Sequence, residues 1–250
     1  ILDNQIKLNP DNKNLEFLKS TKNALLDSKK INIYSLAQLS KSALTEDRLL
    51  AAQLLAYSDR YNAFKILIDL LHDKNPKIIK TALISSAHTK RPQLWPYILR
   101  NLFIPQYSAS AITAIKIIGD PILTELDNYF EKDTTLKNIR LNIIGIYAGI
   151  KSELSLKLLK SRLHYPDGDI RHQILKGIVK TEFHANSNEA SGIKKQMQEE
   201  MAMIVWIMAC LFDLKNGNEM QLLHEALEFE LNQKRENVFL LLSMIYDSKT

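Results

Sequence analysis

The stretch Asn75-Pro76-Lys77-Ile78-Ile79-Lys80-Thr81-Ala82-Leu83 decides the fold, because its pattern returns along the chain. A polar or basic residue is followed three places later by a small or aliphatic one, and an apolar stretch comes one turn further on. The pattern occurs as Arg48-Leu49-Leu50-Ala51-Ala52-Gln53-Leu54-Leu55 and as Lys80-Thr81-Ala82-Leu83. It returns around Ser108-Ala109-Ser110-Ala111-Ile112-Thr113-Ala114-Ile115, then as Arg140-Leu141-Asn142-Ile143-Ile144 and Arg171-His172-Gln173-Ile174-Leu175. The anchors at 48, 80, 108, 140 and 171 are 32, 28, 32 and 31 residues apart. A fixed period of this length marks a repeat architecture.

Working outward from each anchor, a second apolar helix follows. Phe64, Leu67, Ile68 and Leu71 stand at i, i+3, i+4 and i+7, one face of a helix. The stretches 94–102, 121–130 and 153–163 read alike, with Pro121 where a first-turn proline is tolerated. Turn and cap residues separate the units at Asp73-Lys74-Asn75-Pro76, Pro105, Lys132-Asp133-Thr134 and Pro166-Asp167-Gly168-Asp169. A lone hairpin of two short helices cannot bury its apolar face, so stacking must supply the core. Ala51, Ala82, Ala111 and Ala114 let adjacent helices approach closely. The expectation is an all-α chain, an α-α superhelix of about five helical hairpins over residues 44–182. Residues 1–43 are expected to cap one end through Leu15, Leu18, Leu25, Leu26, Leu36 and Leu39, and residues 183–250 the other, with a polar inter-helix loop over 183–195, a long helix from about 190 to 214, and two further helices over 219–231 and 237–246.

Composition agrees. Glycine and proline number seven each among 250 residues, too few for a chain rich in β-turns. Charged residues are 24% and apolar ones 46%, which suits a packed rather than a disordered chain. The net charge of +5 is mild, and +3 of it lies in residues 1–45. A solvated helix face explains that excess, though it also permits a soft attraction to anionic lipid or nucleic acid. One cysteine, Cys210, excludes an intrachain disulfide.

With the anchors, breaks and Ile118-Gly119-Asp120-Pro121 in hand, the repeats resemble the HEAT family over about residues 44–182. Asn75-Pro76 through Lys80 and the Gly-Asp-Pro turn carry the likeness; the unit anchored on Ser108 lacks the basic residue. The resemblance implies a HEAT/armadillo-like solenoid that works by binding.

Motifs of catalysis do not emerge. No two of His72, His88, His164, His172, His184 and His224 have the i, i+4 spacing of a helical metal pair. Gly-Lys occurs nowhere, which excludes a P-loop, and no Gly-x-Ser-x-Gly is present. Glu199-Glu200 reads as an ordinary solvated or capping pair. No enzyme activity, cofactor or metal is expected. The twelve-residue apolar run Met201 to Phe212 is too short for a membrane span of about 20 residues, so it is expected to be a buried helix with Trp206 and Cys210 in the core.

The candidate interaction surface is Arg91, Trp95 and Arg100, two cations flanking an aromatic between Pro92 and Pro96. Core packing and a groove edge are both open for Trp95. The group is similar to the aromatic and basic lining of HEAT-like DNA glycosylases that excise alkylated bases, which implies duplex DNA as an alternative ligand. Those enzymes also use an aspartate, and none lies within two helical turns of Trp95.

The tail Lys234-Arg235-Glu236-Asn237-Val238-Phe239-Leu240-Leu241-Leu242-Ser243-Met244-Ile245-Tyr246-Asp247-Ser248-Lys249 resembles a segment of bacterial ADP/ATP-translocase-like nucleotide transporters. In that family HEAT repeats follow the membrane part. The likeness implies a cytoplasmic scaffold at the inner face of the inner membrane, cut from a longer protein. Its expected partner is another protein or another domain of the same chain, with nucleic acid disfavoured. Membrane contact would come through a flanking region.

Overall fold

The computed structural model describes residues 33–58, 62–132, 134–214 and 220–246. The four N-terminal leucines expected in capping helices, Leu15 to Leu26, lie outside them. Among the described residues all regular structure is helical. In chain order the α-helices are α1 (Ile33–Ser40), α2 (Thr45–Leu55), α3 (Ala63–Leu71), α4 (Pro76–His88), α5 (Trp95–Leu102) and α6 (Pro105–Ile118). They continue as α7 (Leu123–Glu131), α8 (Lys137–Ile150), α9 (Glu153–Lys160), α10 (Gly168–Lys180), α11 (Ser187–Asp213) and α12 (Gln221–Ile245). Short 3-10 turns at Pro92–Leu94 and Asp120–Ile122 lead into α5 and α7.

Helices α2, α4, α6, α8 and α10 open the five units, and their first residues are 31, 29, 32 and 31 positions apart. Each follows an extended residue: Leu44, Asn75, Ile104, Leu136 and Asp167, with ψ of 129°, 118°, 111°, 147° and 124°. At Asn75 and Ile104 the following proline forces that conformation and then takes the first helical position, where its missing N–H costs nothing. Asn75 Oδ1 accepts from the Lys77 amide, and Asp167 Oδ1 from those of Asp169 and Ile170.

The exits of four of these helices recur as well. Lys90, Gly119, Lys151 and Glu182 have φ of 51°, 76°, 57° and 61°, each just past its opening helix. That left-handed turn reverses the chain into the return helix. Only Gly119 adopts it without crowding its own Cβ.

The chain divides into two compact units, Ile1–Tyr129 and Phe130–Thr250. In the first, α2 packs on α4 and α4 on α6, while α3 lies against α2 and α4, and α5 against α6. Ala51, Ala82, Ala111 and Ala114 are fully buried at these crossings, beside Leu67, Leu83, Ile98 and Ile115. In the second unit α8 packs on α10, α9 against both, α10 on α12, and α12 on α11. Gly177 marks the closest approach there: a Cβ on it would lie 3.4 Å from both Ala148 Cβ and Leu159 Cδ2.

Ion pairs join residues 25 to 31 positions apart, close to the repeat length. Arg48–Asp73 (2.7 Å), Lys137–Asp167 (2.9 Å), Lys151–Glu182 (3.0 Å) and Arg171–Glu200 (3.3 Å) each span about one repeat, as do Arg162–Glu131 and Lys160–Glu189. The anchoring arginines also tie down the turn that precedes them. Arg48 Nη1 donates to the carbonyls of Ser42 and Ala43, and Arg171 Nη1 to those of Tyr165 and Pro166, at the same two offsets. Arg48 and Arg171 are thus each a clamp on the preceding turn and a rung onward along the chain.

The C-terminal reading needs correction in two places. The polar segment from 183 is not a long loop, since α11 starts at Ser187. Asn186 caps it, accepting from the Asn188 and Glu189 amides, while the Glu189 carboxylate accepts from the Asn186 amide. The two helices expected after residue 219 are one continuous α12.

Candidate interaction surface

Helices α11 and α12 form an antiparallel hairpin, and a polar cluster fixes its base. Glu200 on α11 is buried and accepts from Lys234 Nζ at 3.0 Å, Arg171 Nε at 3.3 Å and Asn237 Nδ2 at 3.4 Å. The Asn237 amide, fully buried, holds His172 Nδ1 at 2.6 Å through its oxygen. His172 Nε2 lies 3.3 Å from Glu236, which also pairs with Lys176 at 2.9 Å. The Lys176 hydrogen bond holds the Glu236 carboxyl below its ordinary range, against some burial. Glu199-Glu200 is therefore no solvated pair: successive residues point about 100° apart, so Glu199 is exposed while Glu200 faces α12.

A cavity of about 240 Å³ opens over this cluster, between His164, Arg171, Gln196, Glu199, Met203 and Lys234. Its two cations, Arg171 and Lys234, both pair with Glu200, and Gln196 Nε2 donates to the Leu163 carbonyl. The arrangement supplies register between α10, α11 and α12: the three helices satisfy one another's buried charges only in one alignment. It offers no activated nucleophile. Among the described residues no three His, Cys, Asp or Glu side chains come together as a metal site.

Beyond Glu200 the hairpin changes character. Met201, Val205, Met208 and Phe212 recur at i, i+4, i+7 and i+11, one continuous stripe along α11. They are exposed, Val205 at 68%. Trp206, expected in the core, is 58% exposed, and Cys210 is only half-buried. Met220 at the N-cap of α12, and Leu222, Leu223 and Phe229 within it, are exposed in turn. The cause is geometric. One partner helix covers one seam of α11, and Glu200 and Ile207 fall on it; the other apolar positions of this run point elsewhere. The sequence carried more apolar residues than a single neighbour can bury. Among the described residues no helix is long and apolar enough to cross a membrane.

The three residues chosen from the sequence lie in the first unit. Arg91 precedes the 3-10 turn, Trp95 is the first residue of α5, and Arg100 is in its last turn. Trp95 is half-buried, with its Nε1 buried and without a hydrogen-bond partner, while Arg100 is exposed. Five residues apart on a helix, they point about 140° away from each other, so the structure does not aim them at one ligand. The hairpin surface was missed because its signal, an apolar run on a long helix, reads the same as a core helix.

Comparison with family models yields no match for this chain, and comparison with curated proteins yields none either.

Proposed function

We propose that this protein is a non-catalytic interaction scaffold whose docking element is the α11–α12 hairpin. One observation carries the reading: a stripe of methionine, valine and aromatic side chains stands exposed on a helix whose other residues are locked in place by a buried ion cluster. Large apolar side chains grouped on a surface mark binding sites, whereas singly scattered ones do not. The stacked hairpins are the support, and the fixed register of α10, α11 and α12 presents the stripe as a rigid ridge.

The resemblance of the α12 tail to nucleotide transporters supports a finer version, in which the chain is a cytoplasmic module of a larger membrane protein. Sequencing the gene upstream of Ile1 tests that version; about a dozen hydrophobic spans are expected, and a gene for a purely water-soluble protein would overturn it.

The scaffold reading is tested by placing a photoreactive phenylalanine analogue at Met208 on the stripe and, as a control, at exposed Glu199 on another face of α11. Adducts with another polypeptide are expected from position 208 alone. Adducts with lipid only, or equal yields from both positions, would refute the reading.

A further inference from the structure

The cavity over the Glu200 cluster has two poles of opposite charge. On its floor two cations, Arg171 and Lys234, share one anion, Glu200, and the Lys234 and Glu200 side chains are each 6% exposed. A lysine ammonium has three N–H donors, and Lys234 Nζ meets Glu200 alone. Arg171 uses Nε on Glu200 and Nη1 on the carbonyls of Tyr165 and Pro166, which leaves Nη2. Among the described residues nothing accepts from the remaining N–H groups of either side chain. Open donors on buried cations are costly, and an anionic acceptor placed on them makes charge-assisted hydrogen bonds.

The other pole lies on α11. Glu199 also lines the cavity and points about 100° away from Glu200, its neighbour in sequence. Its exposed carboxylate has no ion pair or hydrogen bond among the described residues. Met203, one turn further along the same face, adds an apolar wall. We propose that this cavity binds a free α-amino acid with an aliphatic side chain, its carboxylate on Lys234 Nζ and Arg171 Nη2, its ammonium on Glu199 and its side chain against Met203.

Size and charge both select such a ligand. The volume of about 240 Å³ equals that of about eight water molecules, below the range of a drug-sized site, so only a small molecule fits. A plain carboxylate leaves Glu199 unpaired and is repelled by it, and a plain amine is repelled by the two cations. The terminal residue of a peptide carries only one of the two charges. The ligand would join α10, α11 and α12 through Arg171, Glu199 and Lys234, so its binding stabilises the second unit. The site goes beyond the scaffold reading and does not depend on it, because Glu199 and Met203 lie off the stripe that Met201 and Phe212 bound.

Isothermal titration calorimetry of the 250-residue chain tests the proposal with L-alanine, L-valine and L-leucine. Two fragments of leucine serve as comparisons: 4-methylpentanoate, which lacks the ammonium, and 3-methylbutylamine, which lacks the carboxylate. Leucine is expected to bind, and each fragment to bind at least about tenfold more weakly. At ten times its Kd, leucine should raise the thermal midpoint by about 3 °C. Lys234→Met should weaken leucine and 4-methylpentanoate by at least about tenfold while leaving 3-methylbutylamine unchanged. Glu199→Gln, at an exposed position that leaves the fold intact, should remove leucine's advantage over 4-methylpentanoate.

No binding of any of the three amino acids at tens of millimolar would overturn the proposal. So would equal binding of leucine and 4-methylpentanoate to the parent chain, which would reduce the cavity to a carboxylate site. A leucine affinity that Glu199→Gln leaves unchanged would overturn it too, even if Lys234→Met failed to fold. The cross-link at position 208 tests the scaffold reading separately.

Discussion

Replacing Lys234 by methionine should destabilise the second unit by taking one of two cations from the buried Glu200. Lys234 and Glu200 are each about 6% exposed at the side chain and 3.0 Å apart. Breaking a buried pair by removing one partner costs about 3–5 kcal/mol, because the survivor is an uncompensated buried charge. Here Glu200 keeps Arg171 at 3.3 Å and the Asn237 amide at 3.4 Å. The expected loss is therefore smaller, about 2–3 kcal/mol. Glu200→Gln leaves Arg171 and Lys234 together without a counter-charge and should reach the full range of about 3–5 kcal/mol. The double variant removes one cation and the anion together, so it should be less destabilised than the sum of the single losses by about 2 kcal/mol. Equilibrium urea unfolding at neutral pH, followed by far-UV ellipticity and by tryptophan emission, gives all four free energies. Additivity within about 0.5 kcal/mol would refute the argument, since uncoupled side chains behave that way.

Other outcomes follow from the same structure. Lys90→Gly should stabilise the first unit by about 0.5–1 kcal/mol, because the residue sits at φ 51° and glycine removes the Cβ crowding; Gly119→Ala should do the opposite, and thermal melts measure both. Trp206→Gln should shift the unfolding midpoint by less than about 0.5 kcal/mol equivalent, as expected for an exposed position and against the several kcal/mol of a core tryptophan. Acid should weaken the fold through its depressed carboxyls. Burial opposes ionisation of Asp73, yet the Arg48 guanidinium and the Asn75 amide hold its carboxyl below the ordinary value of 3.8; Asp169 is lowered by Lys137 and Gln233. A lowered folded-state pKa gives stability that is complete above the unfolded value and is lost as pH falls through the folded one. Stability should therefore hold from neutral pH down to about 4.5 and decline below about 4. Arg48→Ala should flatten part of that decline, read as a shallower slope of unfolding free energy against pH.

The repeats were legible because each is specified locally. Asn75-Pro76 and Asp167-Gly168 announce helix starts through backbone chemistry that needs no knowledge of neighbours, and Gly119 announces a left-handed exit. Lys90, Lys151 and Glu182 do not, because their residue types give no sign of a positive φ. The Asn186 to Glu189 capping box was present in the sequence but hidden in a polar run that resembles a loop. Trp206 and the stripe around it were misread for a different reason. Apolar spacing shows which side chains avoid water when a neighbour exists, and it says nothing about how many neighbours there are. Glu200 was misread in the same way: its two cations come from residues 29 positions before and 34 after, beyond any local pattern.

The rungs between units also constrain how this chain can change length. Arg48 reaches 25 residues ahead, Lys137 reaches 30 and Arg171 reaches 29, each to the acid of the following unit. An insertion inside a unit would move an acid away from its cation and rotate the next left-handed exit out of phase. Adding or removing a whole unit of about 31 residues shifts cation, acid and turn together. The chain therefore has a natural quantum of growth, and variants that gain or lose one complete hairpin should tolerate the change better than variants that gain or lose half of one.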